Sequence, residues 1–173
     1  VNDGLGNFSK DLSNLPVIRS SGSCIIAADI DGDGDIDLFR GGRTIPEKYP
    51  FPPKSYLLEN DGHGKFIDIT NDKAKELRNI GMVTSAVWVD LDADKVLELV
   101  LVGEWMPITV FKNSAGIWTK ESLEKYGLTN TEGWWNKVIA EDLDNDGDMD
   151  LVCGNLGENY KFHASPDKPF QVY

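Results

Sequence analysis

The sequence predicts an all-β chain made of about three repeated antiparallel units. Three observations carry that prediction. Apolar runs are short, rich in Val, Ile, Leu and aromatic residues, and bounded by Gly, Asn and Asp. An aspartate-rich stretch occurs three times, as "ADIDGDGDIDLFRGG", "VDLDADKVLELVLVG" and "EDLDNDGDMDLVCGN", at a spacing of 61 (29 to 90) and then 52 residues (90 to 142). A turn element recurs between them, as "NDGLGNFSKDLSN" at Asn2, "NDGHGKFIDITND" at Asn60 and, more loosely, "KNSAGIWTKESL" at Lys112.

The flanks assign the elements in order. Before each aspartate run stands an apolar stretch opened by glycine ("GSCIIAA", "GMVTSAVWV", "GWWNKVIA"), and after it a short apolar run ending in glycine ("LFRGG", "LVLVG", "LVCGN"). These read as first and second strands joined by the run. "PITVFKN" reads as a third strand, and Asn-Asp-Gly followed by a β-rich run is a hairpin signal. "NDKAKELRN" and "SLEKYG" are short helical candidates, and "TIPEKYPFPPKSY", with four prolines, is a loop. A repeat of this length with roughly four strands matches a β-propeller blade. The expected division is 1–21 as the end of a preceding blade, 22–80 as blade 1, 81–132 as blade 2, and 133–173 as blade 3 with the opening strand of a following one. Neither end is clean, and the chain starts at Val1 without a signal-like segment. It is therefore expected to be a piece of a larger propeller, or to associate with itself through open blade edges.

The aspartates alternate as a metal loop does. Calcium takes six to eight oxygen ligands with flexible geometry, and a loop offering oxygens at positions 1, 3, 5, 7 and 9 wraps such an ion. In the first run Asp29, Asp31 and Asp33 would give side chains, Asp35 its carbonyl, and Asp37 would close the site, with Gly34 at the turn. The third run matches it with Asp142, Asp144, Asp146, Asp148 and Asp150, and with Gly147 as its turn residue. The second is poorer: Asp90, Asp92 and Asp94 are present, but Lys95 replaces the glycine, Val96 would have to lend the carbonyl, and Glu98 replaces the closing aspartate. An EF-hand would need an acid at position 12, where Arg40 and Cys153 stand, and helical flanks.

The pattern Asp-x-Asp-x-Asp-Gly-x-x-Asp between strands resembles the calcium loop of FG-GAP/VCBS repeats, the family that includes the integrin α-subunit propeller. Residues 29–37 and 142–150 carry it, 90–98 departs at Lys95 and Glu98, and "NDGHGKF" resembles bacterial members. The resemblance implies a calcium-stabilised propeller, secreted, periplasmic or on the cell surface, that binds rather than catalyses.

Composition narrows the function further. The net charge is −12, with 29 acidic and 17 basic residues, which argues against a nucleic-acid partner. No run of apolar residues is long enough to span a membrane. Cys24 and Cys153 read as small strand residues and make no disulfide framework. His63 falls in a turn and His163 near the C-terminus, and no catalytic constellation is legible. Trp105, Trp134 and Trp135 are either packing between blades or a platform for a sugar ring or partner protein. The sequence thus predicts a non-catalytic, calcium-binding scaffold for an unidentified protein or glycan. The alternatives are a carbohydrate-binding accessory module and an enzyme with a carboxylate site on the propeller face.

Overall fold

A computed structural model describes the whole chain except residues 12, 158–166 and 169–173. Its first sheet is an antiparallel meander of β1 (Gly22–Ala28), β2 (Asp37–Gly42), β3 (Tyr56–Asn60) and β4 (Phe66–Asp68). The second unit repeats it with β5 (Met82–Val89), β6 (Glu98–Met106), β7 (Thr109–Ser114) and β8 (Ile117–Lys120), and the third begins with β9 (Gly133–Glu141) and β10 (Asp150–Asn155). An isolated bridge between Asn2 and Phe8 forms the N-terminal turn. "KPFQVY" and His163 lie largely or wholly outside the described residues.

The helical candidates fare differently. Residues 70–79 form one turn of helix, Thr70–Lys73, and a 3-10 turn, Lys75–Asn79. "SLEKYG" forms hydrogen-bonded turns instead, Lys125 N–H to the Ser122 carbonyl and Leu128 N–H to that of Leu123.

β6 is the centre of the fold. Its sequence ELVLVGEWM is buried at every residue but Trp105, because both of its faces are covered. Leu99 and Leu101 point into one core with Phe39, Leu57, Val83, Phe111 and Trp118. Val100 and Val102 point into another with Val89, Val110 and Val138. Alternation along one strand thus serves two interfaces, first unit to second and second to third. Gly103 is required here: a Cβ on it would sit 2.2 Å from the Met82 carbonyl oxygen on β5.

The first strands of the units lie side by side, β1 against β5 and β5 against β9. One contact recurs at each step: the Ser23 hydroxyl donates to the Val83 carbonyl, and the Thr84 hydroxyl to the Trp135 carbonyl at 2.8 Å. Ser23 and Thr84 stand at the same place in their repeats, six residues before the aspartate run. Neighbouring units thus meet through equivalent first strands, as blades do in a propeller. The second and third units are also joined by hydrogen bonds, with Glu104 opposite Trp134 and Met106 opposite Gly133. β6 outruns its ladder with β7, which covers Leu99–Leu101, and its last residues pair with the start of β9.

Candidate metal centre

Each aspartate run joins the first strand of its unit to the second, and the three loops are built to one plan. The carboxylate at position 1 (Asp29, Asp90, Asp142) accepts the N–H of position 6 (Gly34, Lys95, Gly147) at 3.0, 2.9 and 3.1 Å. Position 5 (Asp33, Asp94, Asp146) accepts the N–H of position 7 (Asp35, Val96, Asp148) at 2.8, 2.9 and 3.1 Å. Position 9 (Asp37, Glu98, Asp150) accepts the N–H of position 2 (Ile30, Leu91, Leu143) at 3.2, 2.8 and 3.1 Å. Positions 4 and 6 are left-handed in all three: Gly32 and Gly34, Ala93 and Lys95, Asn145 and Gly147. The first loop meets both with glycine. The second holds Ala93 at φ 57° and Lys95 at φ 69°, each at a cost of about 1–2 kcal/mol.

The outcome is convergence. Carboxylate oxygens of Asp29, Asp31 and Asp33 lie within 4.8 Å of one another, as do those of Asp90, Asp92 and Asp94 and those of Asp142, Asp144 and Asp146. An all-carboxylate set suits a hard cation. Asp142 gives a further sign that a cation fits. Its Oδ1 is shut off from solvent with no hydrogen-bond partner among the described residues, an arrangement costly to a carboxylate unless a positive charge meets it.

The remaining predicted residues have other contacts. Asp35 rests its carboxylate against Gly62 of the Asn-Asp-Gly turn. Asp37 is buried, and its two oxygens accept the N–H groups of Ile30 and of Asn60, tying the loop to β3. Burial pushes its carboxyl above the usual aspartate range, against the pull of those two bonds.

The electrostatics of the loops diverge. Asp31 is pushed up by partial burial and by the charges of Asp33, Glu59 and Asp29. Asp148 is pushed up chiefly by Asp146. Asp92, the counterpart of Asp31, is instead held down, first by a hydrogen bond from Lys112. The Lys112 ammonium lies 2.8 Å from Asp92, 2.8 Å from Asp94 and 2.7 Å from the buried Glu98. Burial works against its charge, and the carboxylates outweigh burial and raise its pKa. Sequence reading attached the positive charge of this loop to Lys95. The side chain that enters comes from β7, and its only signal was the looser match of "KNSAG" to "ENDGH".

The tryptophans separate. Trp135 packs into the second core and donates its indole N–H to the Thr131 carbonyl at 2.8 Å. Trp134 meets Trp105 with ring centroids 5.2 Å apart. Trp105 sits in a β-bulge at φ 59°, is 37% exposed, and donates to the Tyr49 hydroxyl at 2.6 Å. Tyr49 in turn donates to Glu104, which is buried and paired with Arg43. Sequence reading missed Tyr49, Arg43 and Glu104, since nothing local links the proline-rich loop to the end of β6. His63 is an exposed turn residue whose backbone N–H caps Asp61. Cys24 and Cys153 are free thiols, their pKa values raised by burial.

Comparison with known families matches residues 90–153, the second loop through the third, to the FG-GAP-like repeat. That segment is similar to an FG-GAP-like repeat. No curated protein gives a significant match. The similarity is consistent with the all-β fold, the recurring strand–loop–strand unit and the side-by-side first strands. The first unit lies outside the matched segment yet has the same loop geometry. No helix among the described residues is long and apolar enough to cross a membrane.

Proposed function

We propose that this chain is a calcium-stabilised, non-catalytic propeller module that binds a protein or glycan outside the cell. The observation that carries the reading is the shared loop plan, which gathers three carboxylates at positions 1, 3 and 5. Asp29, Asp31 and Asp33 would hold one ion, with Asp35 and Asp37 completing the loop. Asp142, Asp144 and Asp146 would hold another, with Asp148 and Asp150. The ion would supply neutralisation: it lets like charges converge and fixes each loop between its strands. Because the site is absent from the unfolded chain, binding adds to stability. The extracellular setting rests on the family resemblance. The test is a thermal melt in chelator and then in calcium. A higher melting temperature in calcium is expected, and superimposable melts would overturn the reading.

One observation favours a glycan as the ligand. The bulge holds Trp105 beside Trp134 at a partly open surface, next to Tyr49. Aromatic faces with adjacent polar groups suit sugar rings. Glycan-array binding that disappears in Trp105→Ala, with the melt little changed, would support this ligand. Retained binding would exclude the Trp105 face as its platform.

A further inference from the structure

We propose that the second loop carries its own cation, the Lys112 ammonium, and that this blade folds without a metal where the first and third use one. The contrast rests on the calcium reading above, but the claim about Lys112 does not.

Four observations converge on it. The ammonium touches carboxylates from positions 3, 5 and 9 of the loop, at 2.7–2.8 Å. It arrives from the neighbouring strand at a defined register. Phe111 pairs with Leu99 as Leu58 pairs with Leu38, so Lys112 stands where the first unit has Glu59. The first unit therefore offers a further acid at the position from which the second sends a cation. Next, the exchange of the closing aspartate for Glu98 acquires a reason. The longer side chain keeps Oε2 on the Leu91 N–H at 2.8 Å and brings Oε1 to Lys112. That Oε1 is fully buried and makes no well-directed hydrogen bond, so the ammonium is its only neutralising neighbour among the described residues. Finally, Lys125 also reaches Asp92, its ammonium 3.3 Å from the same Oδ2 that Lys112 contacts, adding a second positive charge.

A divalent ion bound by Asp92 and Asp94 would share their oxygens with this ammonium. Like charges that close repel strongly in a partly buried site. Lys112 thus supplies the neutralisation and also excludes calcium.

The test reads each loop separately, by hydrogen exchange of the full chain in chelator and in calcium. In the unaltered protein the Leu91 and Lys95 amides should be equally protected in both buffers, while exchange of the Gly34 and Gly147 amides slows at least about tenfold on adding calcium. Lys112→Met, which keeps the apolar stem, should lose protection at Leu91 and Lys95 in chelator. In calcium it should regain that protection and take up about one more ion per chain than the unaltered protein. Calcium-dependent protection of Leu91 and Lys95 in the unaltered chain would overturn the proposal. So would unchanged protection in Lys112→Met. If Gly34 and Gly147 ignore calcium while Leu91 and Lys95 are protected only with Lys112 present, the calcium reading fails and the internal cation stands.

Discussion

The first and second loops share every backbone contact of the plan and differ in what meets their carboxylates. In the first, Glu59 on β3 adds negative charge near Asp31 and is itself paired with Lys73. In the second, Lys112 on β7 enters the cluster. Lys112, with Lys125 beside it on Asp92, thus sets the second loop apart from the first, where Lys73 pairs with Glu59 and not with a loop carboxylate. A loop motif read alone cannot report this, because the deciding residue lies 20 positions beyond Asp92 on another strand.

The largest effect expected from this difference is on metal removal. If free calcium exceeds Kd a hundredfold, each filled site adds about 2.7 kcal/mol. Two sites then add about 5 kcal/mol, which in a chain of this size moves the melting temperature by more than about 10 °C. Calorimetry in chelator and in calcium measures it. A rise equivalent to three equal sites would contradict the distinction between the loops.

A smaller and sharper effect comes from giving the first loop the second loop's residue. Glu59→Lys sets an ammonium at the register position that Lys112 holds on β7. It removes the partly exposed pair with Lys73, worth about 0–1 kcal/mol. It should also cost one calcium per chain and about half of the calcium-induced rise in melting temperature. Elemental analysis of the dialysed protein counts the ions. An unchanged count would mean that the residue at this register does not decide occupancy.

Much of the fold was legible because its signals are local. Short β-rich runs, glycine-bounded flanks and the recurrence of aspartates each depend on neighbouring residues, and they located β1, β2, β5, β6, β9 and β10. The loop positions were legible for the same reason, down to the left-handed turn at Gly34 and Gly147. The second left-handed position was not, since it is Gly32, Ala93 or Asn145 and follows no single residue type. The pairing of β9 with β6, the Lys112 ammonium and the Tyr49–Trp105–Glu104 cluster were also hidden. Each joins residues on different elements that are distant in sequence, 14 apart for Lys112 and Glu98 and 56 apart for Tyr49 and Trp105, and register is set by tertiary packing.

The smallest effect is on protonation, and it has opposite signs in the two loops. In chelator the Asp31 carboxyl titrates above the ordinary aspartate value of 3.8, and Asp92 below it. A raised carboxyl contributes stability that is present below its unfolded value and lost as pH rises through the folded one. Ionised Asp31 therefore loosens the metal-free first loop at neutral pH, and acidification towards its raised pKa relieves it. A lowered carboxyl contributes stability present above its unfolded value and lost as pH falls through the folded one. Asp92 therefore holds the second loop at neutral pH and releases it only in stronger acid. Carbon-detected NMR titration of the side-chain carboxyls should give Asp31 the higher midpoint. Coincident or reversed midpoints would mean that Lys112 does not dominate the field at Asp92. Added calcium should then move only Asp31, downwards, because a bound cation favours the ionised form and the second loop already has its cation in place.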